Sequence, residues 1–168
     1  MTSSSTEQHF LEAYDEFSNA IFRYCYYRIS DRELAQDLMQ DTFAKTWNYI
    51  CKNGEVENIR AFLYRVAKNL IIDYIRKKKS ISLDALQESG FDPGKDTTDK
   101  MKDIVDGKAI LEVVNQLDEK SKEVVIMRFV EDLGPKEIAE ILNIKENAVS
   151  VRINRAMEKL RSLLPKNG

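Results

Sequence analysis

Glu33, Asp37, Gln40 and Asp41 recur in RELAQDLMQDTF at the spacing that sets side chains in a row along one helix face. A row of carboxylates can ligate two metals inside a four-helix bundle. That chemistry draws Glu-x-x-His pairs from partner helices, however, and His9 is the only histidine in the chain. Cys25 and Cys51 stand far apart in apolar or mixed helical contexts and read as buried free thiols; with one histidine they leave a zinc site short of ligands. There is no glycine-rich loop to cradle phosphate, and the Ser, Cys and His residues form no nucleophile arrangement. The expectation is a protein that is not an enzyme, with no cofactor and no metal. A solvated face or a docking surface for a basic partner remains for the acidic row. A metal enzyme built on Glu33, Asp37 and Asp41 would reveal itself by metal bound after purification.

A second chemistry is offered by Asn147, Ser150, Val151, Asn154, Arg155 and Arg161, which share one face of a helix. Short polar side chains reach base edges in the DNA major groove, and Arg reaches guanine or phosphate. The element that must position them is the stretch from Leu133 to Leu164, two helical patterns broken by a very short turn, which reads as a helix-turn-helix. Gly134 and Pro135 suit the cap and first position of its first helix. Ile138, Ala139 and Leu142 make one face, Asn143 fits the left-handed turn residue, and Ile144 plugs the corner. Val149, Ile153, Ala156, Met157 and Leu160 turn inward on the second helix. An ordinary amphipathic hairpin with a solvated polar face would show the same pattern.

The net charge of −2 argues against nucleic acid only if it is spread evenly, and it is not. Residues 1–58 hold five basic and ten acidic side chains, whereas residues 59–79 hold seven basic and one acidic. Residues 80–106 hold three basic and seven acidic, and residues 107–168 eleven and ten. A phosphate backbone senses local charge, because screening limits its reach to roughly 8–10 Å. The polar start MTSSSTEQHF and the lack of a long apolar run point to a cytoplasmic protein with no membrane insertion.

The periodicities predict an all-α chain. A first helix spans about 6–28, with Tyr24 to Tyr27 packed between neighbours; a second, capped by Ser30 or Asp31, runs to about Ile50. A polar loop, 52–58, precedes the basic helix IRAFLYRVAKNLIIDYIRKKK. From Ser80 to Asp106 periodicity fades into an acidic stretch read as a flexible linker. A short helix follows from about Gly107 to Gln116, with Ile110, Val113, Val114 and Leu117 inward, and Asp118 then caps a helix through about Glu131. The architecture is two small helical domains, 1–79 and 107–168, joined by the linker 80–106, the second containing the helix-turn-helix.

In this order the segments resemble an extracytoplasmic-function (ECF) sigma factor of bacterial RNA polymerase, in the sigma-70 family, over nearly the whole chain. LAQDLMQDTF (34–43) resembles the segment that docks on the clamp helices of the polymerase largest subunit, with Asp37, Leu38, Gln40, Asp41 and Phe43 at its recurring positions. FLYRVAKNLIIDY (62–74) resembles the helix that reads and melts the minus-ten element, with Phe62 where Trp is frequent. The resemblance assigns minus-ten contacts to Asn58, Arg60, Tyr64, Arg65, Lys68, Asn69 and Arg76. It assigns minus-thirty-five contacts to Lys136, Asn147, Ser150, Val151, Asn154 and Arg155. Ala148, Ser150 and Val151 replace residues more often polar or basic, and Lys145 replaces a common capping Ser. The resemblance further implies core RNA polymerase (clamp helices and flap), promoter DNA and an anti-sigma factor as partners. A stand-alone dimeric regulator on a palindromic operator, or an adaptor without DNA, would be the alternatives.

Overall fold

The computed structural model describes residues 3–89 and 111–163, with side chains described at 4–81 and 111–163. All regular elements among the described residues are helical. The first half is three helices, α1 (Ser3–Ile29), α2 (Arg32–Asn53) and α3 (Ile59–Ser89). Phe10, Tyr14 and Phe17 on α1 step by three and four and face α2. There Phe43 lies 6.1 Å from Phe10 and 4.8 Å from Tyr14, ring centre to ring centre, and Trp47 lies 5.0 Å from Phe10. Edge and tilted aromatic contacts of this kind add about 0.5–1.5 kcal/mol each beyond the area they bury. Thr42 and Thr46 are buried in the same helix, and their hydroxyls donate back to the carbonyls of Leu38 and Thr42 at 2.7 and 2.8 Å.

The chain reverses between α1 and α2 at Ser30, which adopts φ +57°, and Asp31 caps α2 by accepting from Leu34 N–H at 3.1 Å. Gly54 ends α2 at φ +88°, a conformation that penalises any side chain. Asn58 caps α3, accepting from Ala61 N–H at 3.1 Å. That helix continues to Ser89, well past the linker boundary expected at Ser80. The apolar period stops near Ser80, but loss of periodicity marks loss of packing, not a helix stop; the first strong breaker is Gly90.

The chain re-enters the described region already helical at 111–114, and Leu111, Val114 and Leu117 are buried. Most of the expected linker lies outside the described residues, as do Ile110 and Leu164. Asp118 caps α4 (Glu119–Val125) by accepting from Ser121 N–H at 3.3 Å. The expected continuous helix to Glu131 instead widens into a π-helical turn over Ile126–Val130, closed by Glu131 N–H to Ile126 O at 2.9 Å. The wide turn sets Ile126, Met127 and Glu131 on one buried side and leaves Phe129 exposed.

The helix-turn-helix forms as its sequence predicts. Gly134 and Pro135 open α5 (Pro135–Leu142), Asn143 takes φ +55° and ψ +47°, and α6 (Glu146–Leu163) follows. Val149 and Ala156 are fully buried, and Ile138 and Ile141 meet them from α5.

The halves do not stand apart. One buried cluster runs from Ile21, Tyr24, Leu63 and Tyr64 of the first half into Val124, Met127, Ile138 and Val149 of the second. The arrangement of the two halves, which the sequence leaves open, is a packed interface of α1 and α3 against the π turn and α5.

Candidate polymerase and nucleic-acid interfaces

On α2 the acidic row is exposed: Glu33, Asp37, Gln40 and Asp41 all face solvent. Leu38 and Phe43, placed in the same candidate docking segment, are 6% and 3% exposed and hold the helix onto α1. The segment therefore divides into a polar face and two anchors beneath it. Among the described residues no cluster of three or more His, Cys, Asp or Glu is placed to hold a metal ion.

On α3 the candidate minus-ten residues fall into two groups. Lys68, Asn69 and Arg76 follow further along the helix, with Asn69 and Arg76 exposed. Asn58, Arg60, Tyr64 and Arg65 lie beneath the second half and are engaged by it. Arg60 donates to Glu137 at 3.2 Å and to the Glu131 carbonyl at 3.4 Å. Arg65 donates to the Glu140 carbonyl at 2.6 Å, and Asn58 to the Glu140 carboxylate at 3.5 Å. Tyr64 is 1% exposed, packs edge-on to Tyr24 and donates its hydroxyl to Glu131 Oε1 at 2.6 Å.

Glu131 is the centre of this contact. Its side chain is wholly buried, and Arg23 of α1 reaches it with Nε at 2.7 Å and a terminal nitrogen at 3.0 Å. The Glu131 hydrogen bond holds the Arg23 guanidinium above its ordinary pKa, while burial and the neighbouring carboxylate push the Tyr64 phenol up. A second pair lies nearby: Arg28, 4% exposed, donates to Tyr24 and Glu123 at 3.3 Å and to Glu119 at 3.2 Å. Burial works against the Arg28 charge, and Tyr24, Glu123 and Glu119 more than offset it.

Glu119, Glu123, Glu131, Glu137 and Glu140 were not singled out by the sequence, nor was Arg23. The readable signal was Arg28, which falls on the apolar face of α1; a core-facing arginine demands a carboxylate partner. Tyr64 and Arg65 belong to the segment that resembles the minus-ten helix, yet Tyr64 is buried and Arg65 half-buried here.

On α6, Asn147, Val151, Asn154 and Arg155 are exposed and Ser150 is half-buried; Lys136 is exposed at the start of α5. Arg155 also lines an open cleft of about 630 Å³ together with Lys120, Arg152, Lys159, Asp118 and Glu158. Lys159 closes on Asp118 at 2.6 Å, which holds that carboxyl far below the usual carboxylate range. Arg152 was not named from sequence, although it stands three residues before Arg155 on the same helix. The thiols divide: Cys25 is buried, and burial pushes it up to about 12, whereas Cys51 is exposed, contrary to the reading of both as buried.

Residues 13–81 match sigma-70 region 2 and residues 107–160 match sigma-70 region 4. Among curated proteins, the ECF RNA polymerase sigma factor SigW of Bacillus subtilis is 30% identical, covering 92% of this chain and 88% of SigW. SigM of the same organism is 27% identical over 90% of this chain and 93% of its own. BldN of Streptomyces coelicolor is 27% identical over 90% of this chain, which spans 59% of the BldN length. The fold is that of the sigma factor RpoE in complex with the anti-sigma factor NepR from Bartonella quintana, at TM-score 0.72 and 20% identity over 96% of this chain and 99% of that one. It is also that of CnrH in complex with the cytosolic domain of CnrY, at TM-score 0.73 and 21% identity over 99% and 94%. The chain belongs to the ECF RNA polymerase sigma factors. It is a promoter-specific initiation factor, not an enzyme.

Proposed function

We propose that this sigma factor, working in the cytoplasm, divides its labour by face. The exposed Asp37, Gln40 and Asp41, carried on Leu38 and Phe43, dock on the clamp helices of the polymerase largest subunit. Asn58, Arg60, Tyr64, Arg65, Lys68, Asn69 and Arg76 hold the non-template strand of the minus-ten element, within a domain spanning 1–79. Lys136, Asn147, Ser150, Val151, Asn154 and Arg155 read the minus-thirty-five element as duplex, within a domain spanning 107–168 that also meets the flap. The observation that carries the reading is that a basic helix and a helix-turn-helix share one chain with an exposed acidic face on the far side of α2. Opening a stacked step costs on the order of 1.4 kcal/mol, and captured bases with phosphate contacts offset it.

In the closed arrangement the second half occupies Asn58, Arg60, Tyr64 and Arg65, so this part of the minus-ten face becomes available only when the halves separate. An anti-sigma partner, of the kind seen with RpoE and CnrH, would act by holding the halves in an arrangement that hides these faces. The decisive experiment is binding of the full chain to bacterial core RNA polymerase. Reversing both Asp37 and Asp41 to Lys abolishes binding while helix content and melting temperature stay unchanged, because both side chains are exposed. Unchanged binding by that variant would remove the surface assignment. Arg155→Ala weakens upstream promoter contact by about 1–3 kcal/mol if it reads a base. Full affinity in that variant would place Arg155 off the DNA.

A further inference from the structure

A cavity of about 520 Å³ opens where the end of α1, the lysine-rich part of α3 and the start of α4 meet. Arg28 lines it from the first half and Lys122 and Glu119 from the second, with Lys78, Lys79, Tyr74 and Asn115 around them. Arg28 and Lys122 are 4% and 8% exposed. Arg28 is held by Glu119 and Glu123, and against these two carboxylates the lining sets four cations, Arg28, Lys78, Lys79 and Lys122. Arg28 Nε is buried without a hydrogen-bond partner, and Lys122 has no hydrogen bond or ion pair among the described residues. Buried cations are ordinarily matched by anions, because taking a charge out of water is costly unless it is paired. Burial pushes the Lys122 ammonium below its ordinary pKa, with Glu119 drawing it up and the Arg28 charge adding to the fall.

We propose that this cleft binds a small phosphorylated ligand bearing an aromatic ring, of the nucleoside di- or polyphosphate class, bridging the two halves. Lys122, Lys78 and Lys79 act as point charges for the phosphates, to which the free Arg28 Nε adds a donor. The Tyr74 ring, with the Lys78 ammonium 6.0 Å from its centre, supplies a flat face for the base. The volume falls within the range of about 300–1,000 Å³ typical of small-ligand pockets. Because its residues come from both halves, an occupied cleft holds them together. None of this depends on the promoter assignments.

The test is calorimetric titration of the full chain at low ionic strength with ADP and, separately, with inorganic pyrophosphate. ADP binds saturably at one site and raises the melting temperature with its concentration. Lys122→Met and Lys78→Gln each weaken ADP by at least about tenfold, as loss of a charge partner does. Lys45→Ala, an exposed lysine on α2, leaves binding unchanged. Lys78 is exposed, so its variant reports on binding even if Lys122→Met fails to fold. No saturable binding of ADP, or wild-type affinity in the Lys78→Gln variant, overturns the site. Pyrophosphate binding as tightly as ADP overturns the nucleoside assignment.

Discussion

Replacing Glu131 by Ala should separate the halves of the molecule. The carboxylate is wholly buried and accepts from Arg23 at 2.7 and 3.0 Å and from Tyr64 at 2.6 Å. Hydrogen bonds to charged groups contribute about 1.5–3 kcal/mol net, and the lower end applies to Arg23, whose side chain is 46% exposed and recovers water when the pair is lost. Tyr64 recovers nothing: its hydroxyl stays buried and loses its acceptor, at a cost of about 1–3 kcal/mol. Together these give about 2.5–4.5 kcal/mol, close to the range found when one member of a buried pair is removed. Both partners belong to the first half, so the loss falls on the contact between halves and not on the internal packing of either. At about 1.4 kcal/mol per factor of ten, the ratio of closed to open molecules falls by roughly a hundred- to a thousandfold.

Small-angle scattering reads this as a larger radius of gyration, with helix content by circular dichroism unchanged. Glu131→Gln keeps an acceptor for Tyr64 while removing the charge, and should give a smaller opening than Glu131→Ala. A double-mutant cycle between Arg23→Ala and Glu131→Gln should show coupling of about 1 kcal/mol or more. A compact Glu131→Ala variant with zero coupling to Arg23 would refute the assignment of Glu131 as the fastening.

Cys51 should react with a thiol reagent at once and Cys25 only on unfolding, since Cys25 is buried and Cys51 is exposed. The Cys25 thiol, raised from 9.0 to about 12, stays protonated in the folded chain while the unfolded chain releases its proton. Stability is therefore intact below pH 9 and falls as pH rises towards 12, by on the order of 1 kcal/mol at pH 10, and Cys25→Ala should flatten that slope in denaturant titrations. His9, 3.0 Å from Glu55, should titrate above 6.5 because the Glu55 hydrogen bond favours the imidazolium; the single histidine signal in proton NMR should move down in Glu55→Gln. That ion pair is present between the lowered Glu55 value and the raised His9 value and is lost as pH rises through the latter. Asp118→Ala removes the cap of α4 and should cost about 1 kcal/mol of stability by chemical denaturation, with no change in the Asp37 face.

The elements were legible wherever local chemistry alone decided them. Gly134, Pro135 and Asn143 specify the helix-turn-helix by backbone preference, and they took the conformations their types favour. The apolar stripes of α1 and α2 found each other because nothing else could cover them. What the sequence concealed was any feature resting on a partner distant in the chain. Glu131 looks like one more surface glutamate until Arg23, more than a hundred residues earlier, is brought to it. The π turn over Ile126–Val130 leaves no trace in a pattern read at the α-helical period. Cys51 was misjudged because it follows the core residue Ile50 in sequence, whereas the adjacent position on a helix lies round its side. Tyr64 and Arg65 were legible as important, but residue type does not say whether a face that suits bases is held by bases or by the protein itself.

That double use has a consequence for binding. Glu131, Glu137 and Glu140 present carboxylates or carbonyls to Arg60, Tyr64 and Arg65 of α3, so under the proposed minus-ten assignment DNA and the second half would compete for these side chains. A strand binding the free chain must overcome the closed state, and its apparent affinity is reduced by the fraction of molecules that are open. Polymerase, if it takes the two halves at separate places, removes that term before the strand arrives. Glu131→Ala should therefore tighten the binding of a single-stranded minus-ten oligonucleotide by the free chain, yet leave its binding by the polymerase complex near wild type. Fluorescence anisotropy of the labelled strand, with and without core polymerase, separates the two. Weakening of both by the same factor would mean that Glu131 supports the α3 face instead of covering it, and the competition would have to be abandoned.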